Sequence, residues 1–470
     1  MNRIKTDICI LGAGSGGLSV AAGAVQMGAS VTLLEGGKMG GDCLNYGCVP
    51  SKAMISAAHY AHAQAHSAAF GIANVTPQVD YAAVKDHVHE VIGAIAPHDS
   101  VERFEGLGVN VITEYGRFIS ETEVQAGDTV IEARRFVIAT GSSPLVPPIE
   151  GLDQVDYLTN ETLFDLRETP SRLVIIGGGP IGMEMAQAHA RLGVPVTVVE
   201  GDKVLNKDDP EITAIALERI RADGVEIEEG FKVVTVSPEG GVTVSAEDGR
   251  SVTGSHLLVA VGRKANVDSL DLDKAGVKYD RAIKVDEGLK TSNKRVYAIG
   301  DVTGGLQFTH KASYDATVII KSMLFGLPSK AKSDHIPWAT YTDPEIAQVG
   351  LTEAQAKKRH GAGVEVLRFK FAENDRAQAE KRTEGLIKVM VHKGKPVGAS
   401  MVGMRAGELI QPYALAIANG LKISALTSMV SPYPTMTEVT KRAAGQYYVP
   451  RLFENDTVKR VVGFVQKYVP

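Results

Sequence analysis

Cysteine is scarce, with three residues in a chain of 470, and that number excludes a disulfide-stapled scaffold. No apolar run approaches the ~20 residues needed to cross a bilayer, so a membrane-spanning chain is excluded as well. Met1 to Asp7 leads straight into the apolar run Ile8 to Leu11 without a basic segment, an apolar signal region and a small-residue cleavage site. That pattern argues against secretion and for a cytoplasmic protein. An excess of one charge is missing too: the net charge is -5, with both signs mixed along the chain. Such a surface has no footprint for a phosphate backbone, and nucleic acid drops out as a partner.

What is present is ordinary globular material, 44% hydrophobic and 22% charged. The length exceeds a single core, and about 100–200 residues per domain gives about three domains.

Two stretches repeat one grammar. Asp7 to Leu11 ends in Gly12-Ala13-Gly14-Ser15-Gly16-Gly17, followed by an Ala-rich helical stretch and a strand, Ser30 to Leu34, closed by Glu35. Leu173 to Ile176 ends in Gly177-Gly178-Gly179-Pro180-Ile181-Gly182, followed by a helix through Arg191 and the strand Val194 to Val199, closed by Glu200. Gly12 and Gly177 make the tight turn, while Gly14 and Gly179 let the backbone approach a pyrophosphate at the helix N-terminus. Gly17 and Gly182 let helix and strand pack closely. Both glutamates stand equally far from their first glycine, placed to accept from a ribose hydroxyl.

A single glycine turn of this kind is weak, but two in full context imply two dinucleotides and an α/β chain with two Rossmann-like dinucleotide-binding domains. The first unit runs directly into a cysteine pair, so it is assigned FAD. The second is left to a dissociable nicotinamide nucleotide. Glu200 favours a free 2′-hydroxyl, which selects NADH, while Lys203 and Lys207 keep NADPH open.

The cysteine pair is Cys43 and Cys48, in a segment that opens a helix with Pro50 near its first turn, where a missing N–H costs nothing. Cys48 therefore sits near a helix N-terminus, whose dipole stabilises a thiolate. Structural zinc needs four ligands, and no second Cys/His cluster has suitable spacing, so no metal site is expected. Cys9, alone in the first strand, reads as a small buried hydrophobe.

The stretch from Gly40 through Cys43, Cys48, Pro50 and Lys52 resembles the signature of the class I pyridine nucleotide-disulfide oxidoreductases, the group of dihydrolipoyl dehydrogenase, glutathione reductase and mercuric reductase. The likeness extends over essentially the whole chain. It includes Val137-Ile138-Ala139-Thr140-Gly141, Val259-Ala260-Val261-Gly262-Arg263 and Val296-Tyr297-Ala298-Ile299-Gly300-Asp301, the last with Asp301 at the flavin ribitol. Tyr341-Thr342-Asp343-Pro344-Glu345, Val349-Gly350 and Gly398-Ala399 resemble the family's dimerisation domain.

By this resemblance Cys48 is the charge-transfer thiol beside the flavin and Cys43 the interchange thiol, the two forming a redox-active disulfide. Lys52 and Glu184 match a pair that meets near the flavin N5 edge. A buried cation there favours anionic reduced flavin, and its carboxylate partner offsets the cost of burial. The positions matching the two arginines that hold the NADP phosphate in glutathione reductase-like members are Glu200 and Asn206, neither of them basic.

The family's usual His-Pro-Thr-x-x-Glu segment is here Tyr433-Pro434-Thr435-Met436-Thr437-Glu438. A phenol with a pKa of about 10, in place of an imidazole at about 6.5, is a poor base at neutral pH. General acid-base catalysis is worth about 10²- to 10⁴-fold, so lipoamide-type dithiol chemistry is in doubt. Tyrosine in this place resembles mercuric reductase, and a thiophilic metal needs thiolates but no dithiol proton shuttle. Against a dedicated mercury enzyme, the run Val465 to Pro470 contains no cysteine. His98 and His310 are the alternative bases, and neither enters the catalytic set. The charged run Glu373 to Glu384 reads as a solvated face.

The expected organisation is a flavin domain from 1–148 and 264–333, a nicotinamide domain at 149–263, and an α+β dimerisation domain at 334–470. A homodimer follows, with Glu438 contributing across the subunit boundary. The expected function is hydride transfer from NADH through FAD to Cys43-Cys48 and on to a disulfide or other small oxidant. Dihydrolipoyl dehydrogenase proper, a mercuric reductase-like metal reductase, and a non-catalytic nucleotide-binding subunit are the rivals.

Overall fold

The computed structural model describes residues 2–469. These form two compact units, one of residues 2–202 and 226–332, the other of residues 203–225 and 333–469.

The first unit begins with β1 (Asn2–Leu11), α1 (Ser15–Gln26) and β2 (Val31–Leu34). Ile8, Cys9, Ile10 and Leu11 are all buried because β1 is a central strand covered on both faces. Alternation sends Ile8 and Ile10 into one apolar cluster and Cys9 and Leu11 into the other. Cys9 is thus the core residue the sequence implies, and burial pushes its thiol pKa up. The chain continues through α2 (Cys48–Ala65), α3 (Tyr81–Ile95), β3 (Asn110–Ile112), β4 (Gly116–Ser120), β5 (Glu123–Ala126) and β6 (Thr129–Ile138). The sheet order is β3-β2-β1-β6-β5-β4, parallel through β6 and antiparallel beyond it.

The same unit then repeats the motif in β7 (Leu173–Ile176), α4 (Pro180–Arg191) and β8 (Val196–Glu200), followed by β9 (Val225–Glu229) and β10 (His256–Val259). Their order is β9-β8-β7-β10, with β7 parallel to both β8 and β10. The strand β11 (Val296–Ala298) returns to the first sheet beside β6, and α5 (Thr309–Phe325) packs on α1. The first sheet is therefore built from two separate stretches of chain.

The second unit is α+β. Its antiparallel sheet runs in the order Trp338–Thr340, Glu345–Gly350, Lys395–Gly403, Leu386–His392, Val364–Lys370. The helices Gln411–Ala418 and Glu438–Gly445 cover it, and the buried Tyr413 donates its hydroxyl to Thr440 O at 2.8 Å. Residues 203–225 belong here through charge as well as packing: Lys388 Nζ lies 2.8 Å from Asp209, 2.9 Å from Glu211 and 2.8 Å from Glu353. The charged run Glu373 to Glu384 is only partly a solvated face, because Asn374 is fully buried and Arg382 pairs with the buried Asp343. No helix among the described residues is long and apolar enough to cross a membrane.

Candidate active site

Cys48 is the first residue of α2, and Cys43 precedes it in the short helix Gly41–Asn45. Both are free thiols, Cys43 half-buried and Cys48 exposed. Cys48 Sγ lies 3.6 Å from Thr309 Oγ1, on the first residue of α5. A hydrogen bond from Cys43, followed by Thr309 and the charge of Lys52, lowers the Cys48 pKa to about 6. That same bond, with burial and the charge of Cys48, pushes the Cys43 thiol up. The pair therefore keeps its proton on Cys43 and its negative charge on Cys48. Neighbouring side chains thus add to the effect of the helix N-terminus, where Cys48 stands as the sequence implies.

One turn along α2, Lys52 Nζ meets Glu184 Oε2 of α4 at 2.7 Å. The Glu184 side chain is 7% exposed, but that of Lys52 is 35% exposed. The carboxylate is thus buried, and the ammonium is paired to it from a half-exposed position. Glu184 lies mid-helix among buried neighbours from Gly182 to His189, whereas Lys52 stands one turn into α2 between the buried Ser51 and Ala53.

A polar relay anchors the short helix that carries Cys43. Asp42 Oδ1 accepts from Asn160 Nδ2 at 3.0 Å and pairs with Arg263 at 3.0 Å. Arg263 Nε donates to Ser142 Oγ at 2.7 Å, which donates to Asp301 Oδ2 at 2.6 Å. Burial raises the Asp301 carboxyl, while Ser142 and Arg263 oppose the shift. Thr140 Oγ1 donates to Asn266 O at 2.8 Å, with Gly141 next to it; Gly262 and Gly300 flank Arg263 and Asp301, both at positive φ.

The glycine turns fit two dinucleotides. A Cβ at Gly12 would stand 2.5 Å from Ala139 O, and one at Gly177 would stand 2.4 Å from Ala260 O. A Cβ at Gly17 or Gly182 would strike the carbonyl of Gly12 or Gly177, at 1.9 and 2.0 Å. Only Gly14 and Gly179 have open space there, which is the opening a pyrophosphate requires at the N-termini of α1 and α4. Glu35 accepts from Ala13 N and Gly37 N at 2.7 and 2.8 Å; Glu200 accepts from Gly178 N and Asp202 N at 2.7 and 3.0 Å. Each carboxylate retains lone pairs for a ribose hydroxyl.

Tyr433 and Glu438 belong to the second unit. Tyr433 is 70% exposed and donates its hydroxyl to Asp375 Oδ2 at 2.9 Å. That bond and the Asp375 charge raise its pKa further, with Glu438 adding to the shift. Glu438 Oε2 is buried with no hydrogen-bond partner among the described residues. His98 lies exposed in the turn Ala96–Asp99, and His310 is stacked on Phe308 with ring centroids 5.3 Å apart. Among the described residues no group of three His, Cys, Asp or Glu side chains is arranged to hold a metal ion.

Residues 6–316 match the pyridine nucleotide-disulphide oxidoreductase family, and residues 336–444 match its dimerisation domain. The chain belongs to this family. It is an FAD-dependent NAD(P)H disulfide oxidoreductase, and its dimerisation domain supports a homodimer. It is 34% identical to a mercuric reductase of Lysinibacillus sphaericus over 94% of this chain and 83% of that protein. It is also 34% identical to a dihydrolipoyl dehydrogenase of Geobacillus stearothermophilus, over 94% of this chain and 96% of that protein. Among solved structures it resembles the Cu(II) complex of the HOCl-induced flavoprotein disulfide reductase RclA from Escherichia coli. That similarity has a TM-score of 0.85 at 28% identity and covers 94% of this chain and 99% of the other.

Sequence reasoning missed Thr309 and the Asp42–Arg263–Ser142 relay of this oxidoreductase. Asp42 lies within the cysteine-pair segment and Arg263 ends the run Val259 to Arg263, but nothing in the sequence signals their meeting. Thr309 had a faint signal, its position at the start of the helix after the second flavin motif.

Proposed function

We propose that the oxidoreductase draws on NADH in preference to NADPH and uses Cys43 and Cys48 to reduce a small oxidant that needs no protein base, with a reducible thiophilic metal ion as the leading class. When bound, FAD supplies the means of turning a hydride from the nucleotide into an electron pair for the disulfide. Gly12, Gly14, Gly17, Glu35, Thr140, Gly141, Gly300 and Asp301 hold it. Gly177, Gly179, Gly182, Glu200 and Gly262 serve the nicotinamide nucleotide. The three-domain division at 148, 263 and 333 follows those assignments, and a cytoplasmic setting suits a dithiol that must be kept turning over.

Cys48 holds the negative charge on the flavin side, stabilised by Thr309 and Lys52. Lys52 and Glu184 place a paired cation where reduction puts charge. Cys43, carrying the proton of the pair, is the thiol that meets the acceptor. Two electrons and the Cys43 proton leave as the Cys43–Cys48 disulfide re-forms: one acceptor disulfide takes both electrons with that proton and a second from solvent, whereas two Cu(II) ions take one electron each and the proton passes to solvent.

The observation that carries the acceptor reading is the commitment of the Tyr433 hydroxyl to Asp375, which raises the phenol and leaves no base at the usual histidine position. The mercuric reductase relative and the Cu(II) complex of RclA favour a metal-ion acceptor. The dihydrolipoyl dehydrogenase relative supports a second reading, turnover of a dithiol substrate. To test this, the NADH-reduced enzyme is mixed anaerobically with oxidised lipoamide, glutathione disulfide or Cu(II), and flavin reoxidation is timed. Fast reoxidation by Cu(II) with slow reoxidation by lipoamide supports the proposal. Fast reoxidation by lipoamide sinks it in favour of dihydrolipoyl dehydrogenase.

A further inference from the structure

Lys85, in α3, is fully buried. Its ammonium donates to the Leu163 carbonyl at 2.9 Å, lies 3.7 Å from Met54 Sδ, and stands over the rings of Tyr81 and Phe164 at 4.8 and 5.6 Å. All four direct partners are uncharged. Asp165, whose charge acts on it, is itself 3.3 Å from His89. Burial pushes the amine down to about 7. An amine so placed is costly, and a hydrocarbon side chain of equal volume would be easier to bury.

Tyr81, one turn earlier on α3, is bonded to His189 Nε2 at 3.0 Å, and His189 Nδ1 lies 2.7 Å from Met185 O. A carbonyl only accepts, so Nδ1 carries the proton and the Tyr81 hydroxyl donates to Nε2. Burial keeps this imidazole neutral, with its pKa down at about 3.

The neighbours decide what these contacts do. Met54 is two residues beyond Lys52 on α2, and Met185 directly follows Glu184 on α4. Lys52 meets Glu184, α2 carries Met54 to Lys85, α3 carries Lys85 to Tyr81, and His189 returns the path to Met185 and Glu184. The three helices are thus closed into a ring with the Lys52–Glu184 contact as one link and the buried cluster as the other.

We propose that Lys85 and Tyr81 are positioning residues for flavin reduction, a clasp that holds α2 against α4 so that Lys52 meets Glu184 in working geometry. This rests on the reading of Lys52 and Glu184 as the flavin-side pair.

The test uses the FAD-loaded enzyme with Lys85→Met, Tyr81→Phe and Glu184→Gln, read by rapid mixing with NADH and by thermal melting. Lys85→Met removes a costly buried amine but leaves the Leu163 carbonyl without its donor, so its melting midpoint is expected to change little. Its limiting rate of flavin reduction is expected to fall roughly 10-fold at an unchanged NADH Kd, because small displacements of reacting groups are costly. Tyr81→Phe is expected to slow the same step about 3-fold, the effect of one hydrogen bond. A limiting rate unchanged in both folded variants overturns the clasp, and so does a rate that falls only in step with the melting midpoint and the NADH affinity. If Lys85→Met does not fold, Tyr81→Phe decides alone by the same criterion. Glu184→Gln separates the two levels: no slowing there overturns the pair itself, whereas slowing there with none in Lys85→Met overturns only the clasp.

Discussion

The hydroxyl of Tyr433 donates to Asp375 Oδ2 at 2.9 Å, while Glu438, five residues on, keeps a buried carboxylate oxygen without a hydrogen-bond partner among the described residues. The side chain at the usual base position has turned to another acid. Glu438 is left holding an unmet acceptor, an arrangement that burial makes expensive. An imidazole at 433 supplies a base that titrates near neutrality.

Tyr433→His is therefore expected to raise lipoamide-dependent turnover by about 10²-fold, within the usual range for general acid-base catalysis. The gain should appear as pH rises through about 6.5, where a free imidazole loses its proton. Steady-state rates with NADH and lipoamide measure it, and no gain would mean that the acceptor site also excludes the dithiol by shape.

Cys48 gives a second prediction, of opposite origin. Its folded pKa is lowered to about 6, so the thiolate is present above that pH and is lost as pH falls through it. In two-electron-reduced enzyme the long-wavelength thiolate-flavin absorption should fade with a midpoint near that value. Thr309→Val removes one of the bonds that lower the pKa and should move the midpoint upward. An unmoved midpoint would remove Thr309 from the account of the site.

Glu200 carries the nucleotide preference. Its Oε2 accepts from Gly178 N at 2.7 Å, so the carboxylate is fixed at the end of β8, where a 2′-phosphate would meet like charge. Glu200→Gln keeps an acceptor for that N–H and removes the charge. The ratio of kcat/KM for NADPH to that for NADH should rise about 10-fold, equivalent to about 1.4 kcal/mol. A ratio that stays put would transfer the choice to Lys203, Lys207 or Asn206.

The parts of this site that could be read in the sequence are those made from neighbours in the chain. Gly17 packs on Gly12 within a single turn, a role that follows from spacing, although the Ala139 carbonyl that Gly12 must clear lies far along the chain. Cys43 and Cys48 are legible for the same reason. Thr309 reaches Cys48 across 261 residues, and Lys85 reaches Leu163 across 78. Periodicity and spacing carry nothing about such meetings. Lys52 and Glu184, 132 residues apart, were paired through family resemblance and not through spacing. Lys85 shows the limit most clearly, since a lysine in an amphipathic helix reads as solvated and only tertiary packing makes it a core residue.

Lys388 poses the same difficulty in the second unit and yields the strongest stability prediction. Its side chain is 3% exposed and that of Asp209 is 2% exposed, with both carboxylate oxygens of Asp209 at 2.8 Å from the ammonium. Burial opposes the lysine's charge, but Asp209, Glu353 and Glu211 outweigh it and raise the pKa. Lys388→Met leaves the Asp209 charge buried and unpaired, a loss of about 3–5 kcal/mol for this kind of change. The cluster also fixes a pH response. Partial burial opposes the charge of Glu353, yet Lys357 and Lys388 hold its carboxyl down at about 2, against an ordinary 4.5. A carboxyl lowered on folding stabilises fully above its unfolded value and loses that contribution as pH falls towards its folded value. Denaturant unfolding of wild type should therefore weaken between about pH 4.5 and 2, with a shallower fall over that interval in Lys388→Met. Equal slopes in the two proteins would mean that acid acts on the fold somewhere other than this cluster.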